Sequence, residues 1–102
     1  MSFQIVKGDY GRIFRGIVED ENYSDCTAKL YLWTGTTKII DGKSCIVSFH
    51  SPDTLVDFTP VSTDFPGTLT PGSYQGLIKF EKTGVVERTI PFTWDIFDKE
   101  PT

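Results

Sequence analysis

With 102 residues, 24% of them charged and 38% hydrophobic, the chain reads as one ordinary globular domain spanning 1–102. Its net charge is −4, and its ten Lys and Arg are scattered among fourteen Asp and Glu, so it has no basic stripe to follow phosphates. That balance argues against nucleic acid and anionic membrane surfaces as partners. No apolar run approaches the roughly 20 residues of a membrane-spanning helix, and Met1-Ser2-Phe3-Gln4 leads straight into structured sequence without an export signal. Synthesis in a cytoplasm is the expectation. Eight Phe, four Tyr and two Trp supply apolar area for a core without covalent staples.

Phe3 to Lys7 alternates as a short strand, and Gly8-Asp9-Tyr10-Gly11 is a turn. Arg12 to Val18 is a second strand, whose inward face is either Phe14 and Val18 or Ile13 and Ile17. Glu19 to Asp25 is an acidic loop. From Cys26 to Trp33 the alternation is clean: Cys26, Ala28, Leu30 and Leu32 on one side, Thr27, Lys29, Tyr31 and Trp33 on the other. Lys38-Ile39-Ile40 and Cys45 to Phe49 flank Asp41-Gly42, a dipeptide that between β-branched runs predicts a hairpin turn. Leu55 to Phe58 is a further strand, ended by Pro60, and the proline- and glycine-rich residues 60–72 form a non-helical connection. Tyr74 to Lys82 and Val85 to Phe97 alternate on either side of Thr83-Gly84. They predict a hairpin with Val86, Ile90, Phe92, Trp94 and Ile96 on one face. Pro91 cannot donate to a ladder and marks an edge, a bulge or a switch between sheets. Seven to nine short strands with turns every 8–12 residues predict an all-β, immunoglobulin-like antiparallel sandwich. The Cys, Trp, Cys spacing of antibody domains is absent.

No catalytic, cofactor-binding or metal-ligating constellation emerges. His50 is the only histidine, and Ser51 and Asp53 beside it fit turn chemistry better than a triad, because neighbours in one tight loop do not line up as nucleophile, base and orienter. Glu19, Asp20, Glu21, Asn22 and Asp25 lack the spacing and the glycine of a helix–loop–helix calcium site. Gly8-Asp9-Tyr10-Gly11 has no Lys-Ser/Thr and no following helix, so it is no phosphate cradle. Cys26 and Cys45 sit in apolar runs and fit buried free thiols, although strands so placed also allow them to meet. The chain is therefore expected not to be an enzyme. Tyr31 and Trp33 are the exception to this plain surface. With Leu30 and Leu32 inward, two large aromatics end a solvated face, a composition typical of a protein interface. Phe3 and Ile5, on an N-terminal strand expected at a sheet edge, are a second candidate contact. A carbohydrate-binding or adhesin-like sandwich is the rival reading of the same aromatics.

Four stretches, taken in order, fit a known pattern. They are Ile5 to Gly11, Val56 to Pro60 with Thr63-Asp64, Thr70 to Gly76, and Gly84 to Pro91 ending in Thr89-Ile90-Pro91. Together they resemble the immunoglobulin-like N-terminal domain of phage upper baseplate proteins and related tail and virion modules. The resemblance spans nearly the whole chain, although each motif alone is turn chemistry. The turn after Asp20 lacks the family's usual glycine, and Thr102 ends the sequence where baseplate members continue into oligomerisation or receptor-binding segments. What the resemblance implies is a virion structural protein: a tail or baseplate accessory, or a capsid decoration protein. It would be made in the host cytoplasm and would contact other virion proteins as a homo- or hetero-oligomer.

Overall fold

Strand β3 (Thr27–Thr34) carries the alternation read in its sequence: Ala28, Leu30 and Leu32 are buried, while Lys29, Tyr31 and Trp33 are half-exposed. A computed structural model describes residues 2–98 and surrounds β3 with six further strands. These are β1 (Ser2–Val6), β2 (Phe14–Val18), β4 (Thr37–His50), β5 (Asp53–Phe58), β6 (Gly72–Lys82) and β7 (Val85–Phe97). There is no helix among the described residues. The strand order is β1-β7-β6-β3-β4-β5-β2, antiparallel throughout except for β1, which runs parallel to β7.

One strand makes two layers out of this order. Residues 37–45 of β4 pair with β3, and residues 46–50 pair with β5. Pairing thus passes from a sheet of β1, β7, β6, β3 and the first part of β4 to one of β2, β5 and the rest of β4. In the immunoglobulin order β2, β5 and late β4 take the places of strands B, E and D, and β3, β6 and β7 those of C, F and G. The connections β2–β3 and β5–β6 cross between sheets. A tyrosine corner marks the second crossing: Tyr74, buried at the start of β6, donates its hydroxyl to the Thr70 carbonyl at 2.6 Å. The chain is therefore an immunoglobulin-like β-sandwich.

Trp94 of β7 is the centre of the core. It is fully buried, and the rings of Phe3, Phe14, Phe58, Phe65 and Phe92 lie 4.8–6.0 Å from it, centroid to centroid. Phe14 and Phe58 come from the opposite sheet, so this cluster joins the layers. Aromatic pairs at such distances add about 0.5–1.5 kcal/mol each beyond the area they bury. The Trp94 indole N–H has no hydrogen-bond partner among the described residues. Antibody domains place a second cysteine two residues after the corner tyrosine. Here that position is Gly76, and the ring of Phe92, its cross-strand partner, fills the space a side chain would occupy.

The structure corrects several expectations. Asp41-Gly42 is not a hairpin turn. β4 runs straight through it, and the turn falls at Gly35-Thr36, between Thr34 and Thr37. Leu30 pairs with Lys43 and Tyr31 with Asp41, so Gly42, at φ 81°, is the extra residue of a β-bulge; Ile39 is a second one. Both bulges bend the free edge of the larger sheet and make it a poor template for another strand. The Thr83-Gly84 turn does lie where the sequence placed it, with φ 52° and 76°, the two positive values of a type I′ turn. Val86 is exposed rather than inward, because a register shift at Phe80/Glu81 breaks the alternation before the hairpin tip. On β2 the inward set is Phe14 and Val18, which leaves Ile13 and Ile17 exposed. Pro91 lies on a stretch of β7 that β6 covers on one side and that β1, whose pairing begins at Thr93, does not reach on the other.

Loops are tied to the core by single polar groups. Thr54 is fully buried on β5; its hydroxyl donates to the Glu21 carbonyl at 2.6 Å and accepts from the Tyr23 N–H at 2.9 Å. This anchors the acidic loop and lets Tyr23 stack on Phe80 at 4.7 Å. Asp64 accepts from the Val61 N–H at 2.8 Å and pairs with Lys43 at 3.2 Å. It thereby holds the 60–72 connection so that Phe65 reaches the core. β1 and β2, the two ends of the strand order, have no backbone pairing with each other, and Phe3 meets Phe14 edge-on at 6.0 Å between them.

Candidate functional site

The outer face of the larger sheet is built from β3, β6 and the first part of β4. Pairing sets Tyr31 opposite Leu77 of β6 and Asp41 of β4, Trp33 opposite Gln75 and Lys38, and Lys29 opposite Lys79. The two aromatics border a shallow groove of about 370 Å³, completed by Gly35, Thr36, Lys38, Ile40, Leu77 and Lys79. The Lys79 ammonium lies 4.9 Å from the centre of the Tyr31 ring, a cation–π contact. The Gly42 bulge shapes this site directly. A Cβ there would lie 3.5 Å from the Tyr31 hydroxyl, so the ring packs flat along the bulged strand.

Electrostatics set this face apart. Lysines directly opposite each other on neighbouring strands repel, yet Lys29 and Lys79 are so placed at the middle of the sheet. Neither forms an ion pair among the described residues, whereas Lys7, Arg15, Lys38, Lys43, Lys82 and Arg88 all do. A protein of net charge −4 thus sets two lysines beside its exposed aromatics, with Glu81 the one carboxylate in the neighbouring row.

The second sequence candidate changes character. Ile5 is 6% exposed and Phe3 packs against Phe14, Phe92 and Trp94, so both side chains belong to the core rather than to a contact surface. What β1 offers outward is its backbone edge, since it ends the strand order. Leu77 and Lys79 are site residues that the sequence reading missed. Their alternation was visible, but their place beside Tyr31 depends on the β3–β6 register, which no local pattern encodes.

The other polar clusters are engaged in local pairs. His50 pairs with Asp53 across the β4–β5 turn, and Asp53 accepts from the Asp20 N–H at 3.1 Å. In the acidic loop Asp25 pairs with Lys82 at 2.6 Å and Glu21 with Arg88 at 3.4 Å. No three His, Cys, Asp or Glu side chains gather as a metal site among the described residues. The hydrogen bond from Lys82 holds the Asp25 carboxyl below its usual range, and two bonds from Arg15, at 2.7 and 2.8 Å, do the same for Asp57. Both cysteines are free thiols; burial pushes Cys26 up and Cys45 up to about 11.

No family model and no curated protein matches the chain. Among solved structures it is similar to titin domain M4, in a trigonal crystal form, at 15% identity and a TM-score of 0.37, over 93% of this chain and 85% of that one. It is also similar to the titin M1 domain, at 10% identity and a TM-score of 0.34, over 94% of this chain and 88% of that one. Both scores lie below 0.5. The immunoglobulin-like order is carried by the strand pairing and by the Tyr74 corner.

Proposed function

We propose that this chain is a non-enzymatic structural protein of a phage virion, acting by protein–protein assembly through the outer face around Tyr31 and Trp33. The observation that carries the assembly reading is the pairing of two half-exposed aromatics with Lys29 and Lys79, which form no ion pair among the described residues, on the central strands. Aromatics at the centre of a patch are the usual energetic anchors of an interface. The virion assignment draws on the order of turn motifs, Gly8-Asp9-Tyr10-Gly11 through Pro71-Gly72-Ser73-Tyr74, that resembles phage tail and baseplate modules. The absence of catalysis is part of the same proposal. Depressed carboxyls held in ion pairs and thiols raised by burial are poor general acids, bases and nucleophiles. Mass spectrometry of purified virions tests the proposal: the chain is expected there in many copies, and its absence would refute the reading.

The groove beside Tyr31 and Trp33 favours one rival, a carbohydrate site in which rings stack on sugars. Lys79 already occupies a face of the Tyr31 ring, and the lining offers sugar hydroxyls few hydrogen-bond acceptors. A glycan array is expected to show no Trp33-dependent binding. Binding that disappears in Trp33→Ala would transfer the face to the rival.

A further inference from the structure

The smaller sheet also has an unusual outer face. Its pairing sets Arg15, Asp57 and Ile46 in one outward row and Ile17, Leu55 and Ser48 in the next. An antiparallel sheet with one solvated face normally turns polar residues outward. Here Ile46 is 71% exposed, Ile13 61% and Ile17 51%, around a central Arg15–Asp57 ion pair. Strand propensity accounts for β-branched residues in these positions, but not for an apolar cluster left in water.

We infer that this isoleucine face docks onto the Tyr31–Trp33 face of a second copy of the same chain, an inference that rests on the reading of that face as an interface. Charge selects this occupant. Arg15 and Asp57 neutralise each other, which leaves Asp53 and the exposed Glu19 as the net charge of the isoleucine face. The aromatic face presents Lys29 and Lys79 against the single carboxylate of Glu81, while its Lys38 and Asp41 neutralise each other. A face of net negative charge thus meets one of net positive charge, and Ile17, Ile46 and Leu55 meet Tyr31, Trp33 and Leu77. A twofold contact of the aromatic face with itself would set the lysine pair on another lysine pair. The two faces lie on opposite sides of the sandwich, so the contact is head-to-tail and leaves a free face at each end, from which further copies add.

The test is sedimentation velocity of the full chain over a range of concentrations. Mass is expected to rise past the dimer, and added salt to weaken the association by screening. Ile46→Asp on one face and Trp33→Ala on the other should each weaken it about thirtyfold. Mixed together, the two variants should form a one-to-one dimer that grows no further, because each retains the face the other has lost. Ile17→Lys serves as a second block of the isoleucine face, and a thermal melt of each variant verifies folding. A chain that stays monomeric at every concentration overturns the inference, and so does an Ile46→Asp protein that associates like the native one. Neither result touches the aromatic face as a site for other virion proteins, which virion composition tests separately.

Discussion

Gly76→Ala probes the packing at the centre of the fold. Gly76 does not have the left-handed backbone that calls for glycine; what it lacks is room. A Cβ there would lie 2.3, 2.4 and 2.7 Å from Cζ, Cε2 and Cε1 of Phe92. Carbon atoms sit comfortably at about 3.5–4.0 Å, so the ring must retreat by roughly 1 Å. Phe3 at 5.4 Å and Trp94 at 6.0 Å stand in its way, and Trp94 is itself held by Phe14, Phe58 and Phe65. Overpacking of this kind costs about 1–3 kcal/mol. The stiffer unfolded chain of the alanine variant offsets about 0.4–1 kcal/mol. The net loss is then about 1–2 kcal/mol, or a fall in Tm of about 5–15 °C for a domain of this size. Calorimetry reads the shift, and Phe92→Leu in the Gly76→Ala background should recover part of it, with a coupling energy above about 0.5 kcal/mol. A Gly76→Ala protein that melts at or above the native temperature would refute the packing argument.

Trp33→Ala should weaken partner binding by about 2 kcal/mol while leaving the isolated chain's melt nearly unchanged; if it unfolds the chain instead, the residue belongs to the core. Tyr74→Phe removes the bond to the Thr70 carbonyl and should cost about 1 kcal/mol in urea denaturation; no change would mean the corner is held by packing alone. The Asp57 carboxyl is lowered in the folded chain, so its contribution is present above the ordinary carboxyl range near 3.9 and is lost as pH falls through the lower folded value. Asp57→Asn should therefore flatten the decline of Tm between about pH 5 and pH 2, by a small amount that salt reduces; an unchanged slope counts against the pair. Cys45 is half-buried with its thiol raised to about 11, so it should carry about one thiolate per thousand at pH 8 and react with a disulfide reagent far more slowly in the native than in the unfolded chain; equal rates in the two states would contradict the raised thiol.

Local chemistry made much of this architecture readable. Alternation placed Leu30 and Leu32 inward and Tyr31 and Trp33 outward because β3 is paired on both sides in a sheet with one wet face. Thr83-Gly84 signalled its turn because both residues take positive φ. Asp41-Gly42 misled because the same positive φ that closes a hairpin also makes a bulge, and only the partner strand decides between them. Phe65 looked like loop sequence because its burial depends on Asp64 gripping Val61 and Lys43, one of these contacts being distant in the chain. Phe3 and Ile5 looked like an edge surface; they lie on an edge strand, but their side chains face the layer beneath. The isoleucine face escaped notice because Ile17 and Ile46 come together only through β5.

Because β4 passes from one sheet to the other, backbone pairing runs unbroken from β1 round to β2 and stops there. Apart from the two half-edges along β4, each half of which is paired on one side only, the molecule closes on itself except for a seam between β1 and β2. No strand ladder bridges that seam; beyond the 7–13 connection, Phe3 meets Phe14 across it. Thermal opening should begin along this line, where no ladder has to break. Native-state hydrogen exchange would then run fastest in β1 and β2 and slowest in β3 and β6, which are paired on both sides along most of their length.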